Sequence, residues 1–175
     1  MNKEEIIIRR AEPPDADRLA AFGEKTFRDA FAALNNANDF EAYVSQAFSE
    51  EKIRSELADP ASIFFLALSK GEWAGYAKLY TGDAPSCIRH LPSIEIARFY
   101  ADKPFWGKGV AQALMRACED FARSKNYASL WLGSWKKNSR GNAFYHKMGF
   151  KITGSATFAL GSDIQEDHLL EKVLD

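Results

Sequence analysis

Between Ala97 and Met115 the chain reads ARFYADKPFWGKGVAQALM, and its character changes in the middle. An aromatic, strand-like segment ends at DKP, two glycines flank Lys108, and apolar residues at helical spacing follow. Glycine allows backbone N–H groups to face a ligand closely, and the start of a helix carries partial positive charge. The stretch therefore predicts an anion-binding turn between a strand and a helix, with phosphate as the usual ligand. A tight turn without a ligand is the alternative.

Neither of the two common phosphate-binding sequences fits this turn. A Walker A loop requires Lys-Ser/Thr after its second glycine, whereas Gly109 and Val110 follow the lysine here. A dinucleotide fingerprint requires a third glycine where this chain has Gln112, and a strand that leads directly into the turn. The turn is thus expected to be of a third kind.

The composition excludes several classes of protein. The chain has 175 residues, of which 46% are hydrophobic, and a net charge of −1. This length suits one domain, 1–175, and the balanced charge gives no reason to expect a nucleic-acid or membrane partner. The segment MNKEEIIIRRAEPP has an apolar run of only three residues, so we expect no signal peptide. Two cysteines, Cys87 and Cys118, form no disulfide framework, which favours a reducing, cytoplasmic location.

The first third of the chain is mainly helical in pattern. EIIIRRAEP predicts a strand, and residues 15–34 predict a helix. Asp39 is a candidate cap for a second helix, and Ser49 for a third, shorter one that ends near LADP.

After Pro60 the pattern changes to strands. SIFFLALS, WAGYAKLYT and SIEIARFYA are predicted strands, followed by a helix over 108–125. The strand ASLWLGSW, the short helix SRGNAFYHKM and the strands FKITGSATFAL and QEDHLLEKVL complete the chain. This order predicts a mixed α/β (α+β) fold, with a central, mostly antiparallel twisted sheet of six to seven strands and about four helices. The helix over 108–125 makes SIEIARFYA and ASLWLGSW parallel neighbours.

Two blocks of sequence resemble the signatures of the GNAT superfamily of acetyl-CoA-dependent N-acetyltransferases. WGKGVA (106–111) is similar to (Q/R)-x-x-G-x-(G/A) at a helix start, with Trp106 in place of the usual Gln or Arg. NSRGNAFYHKMGF (138–150) is similar to N-x-x-A-x-x-x-Y-x-x-x-G-F, with Gly141 in place of the alanine. The order of elements matches the family over essentially the whole chain. Residues 64–79, 130–135 and 158–170 also resemble a bacterial branch that includes spermidine/spermine N-acetyltransferases.

The resemblance implies a site for acetyl-CoA as co-substrate. The pyrophosphate would be held by the backbone N–H groups of Trp106, Gly107, Lys108, Gly109, Val110 and Ala111. The pantetheine arm would pair with the backbone of Phe99, Tyr100 and Ala101, which requires a splayed parallel pair of strands. Asn138 would hydrogen-bond the arm, and its alternative role is an N-cap for the following helix. No metal is expected, because the three histidines are scattered and have no ligands at metal-binding spacing.

Tyr145 and Glu95 are the candidate catalytic residues. Tyr145 matches the tyrosine of the second block and would protonate the departing thiolate, as a neutral phenol of pKa about 10 can. Strict alternation in SIEIARFYA places Glu95 on one face with Ala97 and Phe99, and the isoleucines, Arg98 and Tyr100 on the other. Glu95 would accept the proton of the attacking amine, directly or through water. An ion pair with a lysine or arginine of a neighbouring strand is the equal alternative.

The resemblance thus implies direct acetyl transfer to a primary amine, with a small polyamine such as spermidine as the acceptor. A polycation requires carboxylates, and we expect at least two of Glu24, Asp29, Asp39, Glu41 and Glu95 to face a common groove. The alternatives are a catalytically silent acyl-CoA-binding regulatory module and an acetyltransferase that acts on a protein amine. The oligomeric state is left open, with a homodimer among the alternatives.

Overall fold

A computed structural model of the chain describes residues 5–175, in which seven strands and five α-helices form. Their bounds are β1 Ile6–Arg10, α1 Ala16–Phe31, α2 Ala37–Ala47, α3 Glu50–Ala58, β2 Ser62–Ser69, β3 Glu72–Tyr80, β4 Ser93–Ala101, α4 Val110–Ser124, β5 Ser129–Trp135, α5 Ser139–Lys147, β6 Lys151–Leu160 and β7 Asp163–Val173. Short 3-10 helices lie at Pro13–Asp15, Ala32–Leu34 and Lys103–Phe105.

All seven strands form one sheet in the order β1-β2-β3-β4-β5-β7-β6. Every neighbouring pair is antiparallel except β4 and β5, which are parallel because α4 crosses over between them. The predicted mixed α/β fold with a mostly antiparallel sheet is therefore confirmed. Five helices form where about four were expected, because the short third helix, α3, is also present. The Ser49 hydroxyl caps it by accepting a hydrogen bond from the Lys52 N–H at 3.2 Å.

The parallel pair separates soon after it begins. β4 and β5 are paired only where Ser93–Glu95 lies beside Ser129–Trp131. Beyond Glu95, β4 pairs with β3 and β5 pairs with β7, so the two strands diverge. The backbone groups of residues 96–101 that face β5 consequently have no strand partner.

β4 also contains a bulge that changes which side chains share a face. Lys78 of β3 pairs with Arg98, but the next residue, Leu79, pairs with Ile96, so Ala97 is the extra residue. Glu95 therefore shares a face with Arg98 and Tyr100, while Ile96 and Phe99 lie on the other face. The predicted grouping of Glu95 with Phe99 is wrong, because strict alternation assumes a ladder without an inserted residue.

Helices cover both faces of the sheet. α4 and α5 pack on the face that carries the main core, whose fully buried members include Ile94, Leu114, Met115, Leu130 and Phe150. α1 and α3 cover the other face at β2 and β3, around Leu19, Ile53, Leu66 and Tyr76. The aromatic residues Phe27, Phe40 and Phe48 join α1 and α2 to the end of β6. The mouth of the β4–β5 gap thus lies between two helical layers.

The start of α2 differs from the prediction. Asn36 is the N-cap, with its side-chain oxygen accepting from the N–H groups of Asn38 and Asp39. The predicted Asp39 cap is wrong, because an earlier residue of the turn cluster NNAND begins the helix. The Asp39 carboxylate instead accepts hydrogen bonds from the Ser162 N–H at 2.8 Å and hydroxyl at 2.7 Å. The start of α2 is thereby fastened to the turn between β6 and β7.

Candidate active site

A cavity of about 370 Å³ passes through the gap between β4 and β5. Aromatic side chains of α1 and α2, among them Phe31 and Tyr43, line it on one side of the sheet. Residues of the other side, including Phe99, Leu132 and Tyr145, line its remainder. Such a volume suits a small ligand or part of a larger one.

Five of the twelve predicted site residues meet at this cavity. Glu95, Phe99, Tyr100, Asn138 and Tyr145 all line the cavity. Ala101 and residues 106–111 do not line it. Ala101 is the last residue of β4, and residues 106–111 follow the short 3-10 helix that comes after this strand. The Trp106 indole N–H donates to the Ala101 carbonyl at 2.9 Å, which holds the glycine turn at the end of this strand.

The glycine turn presents a smaller set of N–H groups than predicted. Gly107 and Gly109 adopt φ values of 75° and 87°, which favour glycine, and Gly109 is the N-cap of α4. The N–H groups of Trp106 and Lys108 donate within the turn, to Lys103 and Phe105. In the described part of the chain the Gly107 and Gly109 N–H groups have no acceptor. Those of Val110 and Ala111 have none within the helix, so four N–H groups remain for an anion.

Trp106 connects this turn to the second sequence block. The guanidinium carbon of Arg140, on α5, lies 3.4 Å from the centroid of the Trp106 ring. Burial lowers the pKa of Arg140. The Lys108 ammonium lies 5.7 Å from the Phe105 ring centroid. Cationic groups therefore stand beside the turn, and the tryptophan that departs from the family pattern supports one of them. No spacing in the sequence indicated this stack, because it joins two distant segments.

The Tyr145 ring is held firmly between neighbouring aromatic rings. Its centroid lies 6.1 Å from that of Phe99 and 5.9 Å from that of Phe150. Burial raises the pKa of Tyr145, and the nearby thiol of Cys118 adds to the effect. The phenol consequently keeps its proton at neutral pH, which a general acid requires.

Asn138 performs the alternative role considered for it. Its side-chain oxygen accepts from the Gly141 N–H at 3.1 Å and caps α5. A Cβ atom at position 141 would overlap the Asn138 side chain, which explains glycine in place of the family's alanine. The amide nitrogen of Asn138 makes no hydrogen bond within residues 5–175 and remains available to a ligand.

Glu95 is half-buried and lines the cavity without a close partner. Burial raises the pKa of its carboxyl, and the charge of Lys78 acts in the opposite direction. Across the described residues it makes neither a hydrogen bond nor an ion pair within 4 Å, so the alternative ion pair is not formed. The neighbouring cations bind Glu56 instead: Arg98 through two hydrogen bonds of 2.6 and 2.9 Å, and Lys78 at 3.3 Å.

The carboxylates of the first helices do not form the expected groove. Glu24 and Glu41 both bind Arg28, Asp29 binds Lys25, and Asp39 binds Ser162. Of the five predicted carboxylates, Glu95 alone lines the cavity, so the expectation of two or more is wrong. Glu24, Asp29 and Glu41 pair with cations on helix surfaces, and Asp39 binds the β6–β7 turn.

Asp167, on β7, lines the cavity and was not predicted. Alternation along QEDHLLEKVL could have placed it on the same face as Leu169, which also lines the cavity. From the sequence alone, however, an acidic residue in a strand near the chain end cannot be distinguished from an ordinary exposed charge.

Residues 5–175 contain no group of three or more His, Cys, Asp or Glu side chains placed to hold a metal ion. They also contain no helix whose length and apolar character would allow it to cross a bilayer.

Comparison with known proteins gives consistent matches over this fold. The acetyltransferase (GNAT) family profile matches residues 27–150. An uncharacterised N-acetyltransferase of Lactobacillus delbrueckii subsp. lactis is 33% identical over 97% of this chain and 98% of its own length. The spermidine N(1)-acetyltransferase of Thermoplasma acidophilum is 22% identical over 84% of this chain and 89% of its own. The PaiA N-acetyltransferase of the same organism, crystallised with coenzyme A, superposes with a TM-score of 0.77 at 20% identity, over 97% of this chain and 99% of that one.

Proposed function

Because the chain belongs to the GNAT family of acetyltransferases, we propose that it transfers the acetyl group of acetyl-CoA directly to the primary amine of a small molecule. The observation that carries this proposal is the cavity between β4 and β5. Its walls include a candidate proton donor, Tyr145, and a candidate proton acceptor, Glu95. It lies along the edge of β4 that has no strand partner beyond Glu95. A thioester bound there would supply an activated acetyl group.

The residues of the glycine turn and of β4 fit the two parts of acetyl-CoA. The four N–H groups of Gly107, Gly109, Val110 and Ala111 would bind the pyrophosphate, with Lys108 and Arg140 nearby. The backbone of residues 99–101 would pair with the amides of the pantetheine arm, and the Asn138 amide nitrogen would donate to it. These contacts would fix acetyl-CoA beside the cavity in which the acceptor amine would bind, which lowers the entropic cost of the transition state.

Glu95 and Tyr145 would carry out the two proton transfers of the reaction, one from the amine and one to the thiolate. A primary amine of pKa near 10 is almost fully protonated at neutral pH, so it must lose a proton before its nitrogen can attack. Glu95 accepts this proton, directly or through water, before the C–N bond forms. Tyr145 donates its proton to the sulfur as the C–S bond breaks, and a free thiol leaves. The nitrogen of the new amide loses its second proton to water, and Tyr145 regains a proton from water, so the phenol is neutral again. The buried Cys118 thiol, whose pKa burial raises to about 12, is unsuited to act as a nucleophile.

Within this function, spermidine or another small polyamine is the proposed acceptor. The support is the name of the Thermoplasma relative and the carboxylate of Glu95 in the cavity. Tyr43 of α2 lines the cavity, and Asp39 fastens this helix to the β6–β7 turn, which favours a small molecule over a protein amine. The cytoplasm is the proposed location, since both cysteines are free thiols.

The experiment that tests the function is thiol release from acetyl-CoA with a panel of amines, with products identified by mass spectrometry. We expect release that depends on the amine, and an acetylated product that includes acetylspermidine. A silent acyl-CoA-binding module would bind acetyl-CoA in calorimetry and release no thiol with any amine. Acetylation of peptides alone would instead assign a protein acceptor.

A further inference from the structure

Asp167 is the second carboxylate of the cavity, and it has no partner. Like Glu95, it is half-buried, and the described chain offers it neither a hydrogen bond nor an ion pair. Burial raises the pKa of its carboxyl, and His168 acts in the opposite direction. Burying a carboxylate without a partner costs free energy. The position of Asp167 in a cavity therefore indicates a ligand whose binding offsets this cost.

The charges around the cavity favour a cationic ligand. Arg98 is the cation that lines it, and Glu56 accepts both of its hydrogen bonds. Lys78 shares the same Glu56 carboxylate. Even with Lys78 included, the carboxylates Glu95, Asp167 and Glu56 outnumber the cations, so the cavity is anionic.

Aromatic rings surround Asp167. Trp135 is its register partner on β5, and the Trp135 ring lies 6.1 Å from that of Phe31. Tyr43 lines the same cavity as Asp167, and its ring lies 5.4 Å from that of Phe158. A Cβ atom at Gly133 would lie 3.5 Å from an Asp167 carboxylate oxygen, so that oxygen lies over a residue without a side chain. Aromatic faces attract cations, and they do so more strongly in a desolvated site.

The two carboxylates lie at different positions along the same face of the sheet. Glu95 is the register partner of Trp131, and Asp167 is that of Trp135, four residues further along β5. At 3.3 Å per residue this is about 13 Å along the strand. A ligand that satisfies both carboxylates is therefore extended, with an amine at each end and an apolar spacer beside the aromatic walls.

We propose that Asp167 determines acceptor specificity by binding a second cationic group of the acceptor while the reacting amine lies near Glu95. The acceptor is then an aliphatic diamine or a longer linear polyamine. This inference rests on the proposed acetyl transfer and assigns to it a class of acceptor and a residue that selects it.

The experiment compares cadaverine with hexylamine, which has the same number of non-hydrogen atoms but a methyl group in place of the second amine. We expect the unmodified enzyme to favour cadaverine by roughly tenfold or more in kcat/KM. Asp167→Asn should remove this preference through a higher KM for cadaverine, with kcat and the hexylamine reaction little changed. Asp120→Asn, an exposed carboxylate on α4, removes the same charge outside the cavity and should preserve the preference.

Three results would overturn the inference. They are equal use of both amines by the unmodified enzyme, an equal loss with both amines in Asp167→Asn, and a loss confined to kcat. Calorimetric binding of the two amines separates this inference from the proposed function. Cadaverine binding that depends on Asp167 without any acetyl transfer would overturn the enzymatic proposal and retain the binding role of Asp167.

Discussion

The hydroxyl of Tyr145 carries most of the proposed chemistry. Tyr145→Phe removes this group and keeps the ring that packs against Phe99 and Phe150. General acids typically contribute 10²- to 10⁴-fold, so we expect kcat to fall by about that factor. Acetyl-CoA affinity, measured by calorimetry, should be unchanged, because the loss falls on the transition state.

The control is Tyr80→Phe, which removes a partly exposed hydroxyl on β3 that does not line the cavity. This variant should keep normal kcat. The Tyr145 defect should also shrink with an acyl donor whose thiol is more acidic, since such a thiolate needs less protonation. A Tyr145→Phe enzyme of near-normal kcat would assign the proton to water and leave the ring a packing role.

At this scale the sequence predicts residues inside a motif better than residues outside one. Tyr145 and Asn138 belong to a recognisable block, and both line the cavity. Asp167 could not be distinguished from a surface charge, because its position depends on how β7 pairs with β5. The stack of Arg140 on Trp106 was equally hidden, since it depends on how α5 lies against the glycine turn.

The turn before α4 is the element on which cofactor binding is expected to depend. Gly107→Asp places a carboxylate where the pyrophosphate would lie, and no atom lies within 4 Å of the new Cβ position. Charge repulsion should weaken acetyl-CoA binding by roughly tenfold or more, measured as Kd by calorimetry. The left-handed backbone should also cost about 1–2 kcal/mol of folding stability.

Gly71→Asp is the matched control for that strain. Gly71 lies in the β2–β3 turn, has a φ of 80° against 75° at Gly107, and also has open space around its Cβ position. The two variants should lose similar stability, whereas only Gly107→Asp should lose acetyl-CoA affinity. Equal affinities in the two would place the pyrophosphate elsewhere.

Regular elements were predicted closely, and irregular ones were not. SIFFLALS and SIEIARFYA coincide with β2 and β4, because β-branched and aromatic residues bounded by turns are a strong strand signal. The bulge at Ala97 leaves no such signal, since it depends on where β3 pairs with β4. It changed which of the later residues share a face with Glu95, since Arg98 and Tyr100 lie there and Phe99 does not.

Across the whole molecule, the buried cluster of Glu56, Arg98 and Lys78 joins α3 to the sheet. Glu56→Gln leaves two largely buried cations without a neutralising charge, which should cost about 3 kcal/mol. Urea denaturation measures this loss as a lower midpoint at an unchanged slope.

Glu50→Gln on the same helix is the comparison. Its partner Arg54 lies at 3.6 Å on the exposed surface, so the change should cost under about 1 kcal/mol. Similar midpoints for the two variants would mean that packing, and not this charge cluster, fixes α3 to the sheet.

The predicted fold class is confirmed because it depends on the order of elements and on one crossover helix, both of which a sequence displays. The cavity itself could not be predicted, since its walls come from seven helices and strands that meet only after folding.

The stacking of Arg140 on Trp106 also places an intrinsic fluorophore beside the expected phosphate-binding turn. The chain has four tryptophans, and they occupy separate environments. Trp106 lies beside the glycine turn, Trp131 and Trp135 line the cavity, and Trp73 is buried under α1. We expect a phosphate that draws the guanidinium away from the indole to change the fluorescence of Trp106, while that of Trp73 should stay constant. Binding of acetyl-CoA and of an amine should therefore be measurable by titrating the intrinsic tryptophan fluorescence, without an attached dye.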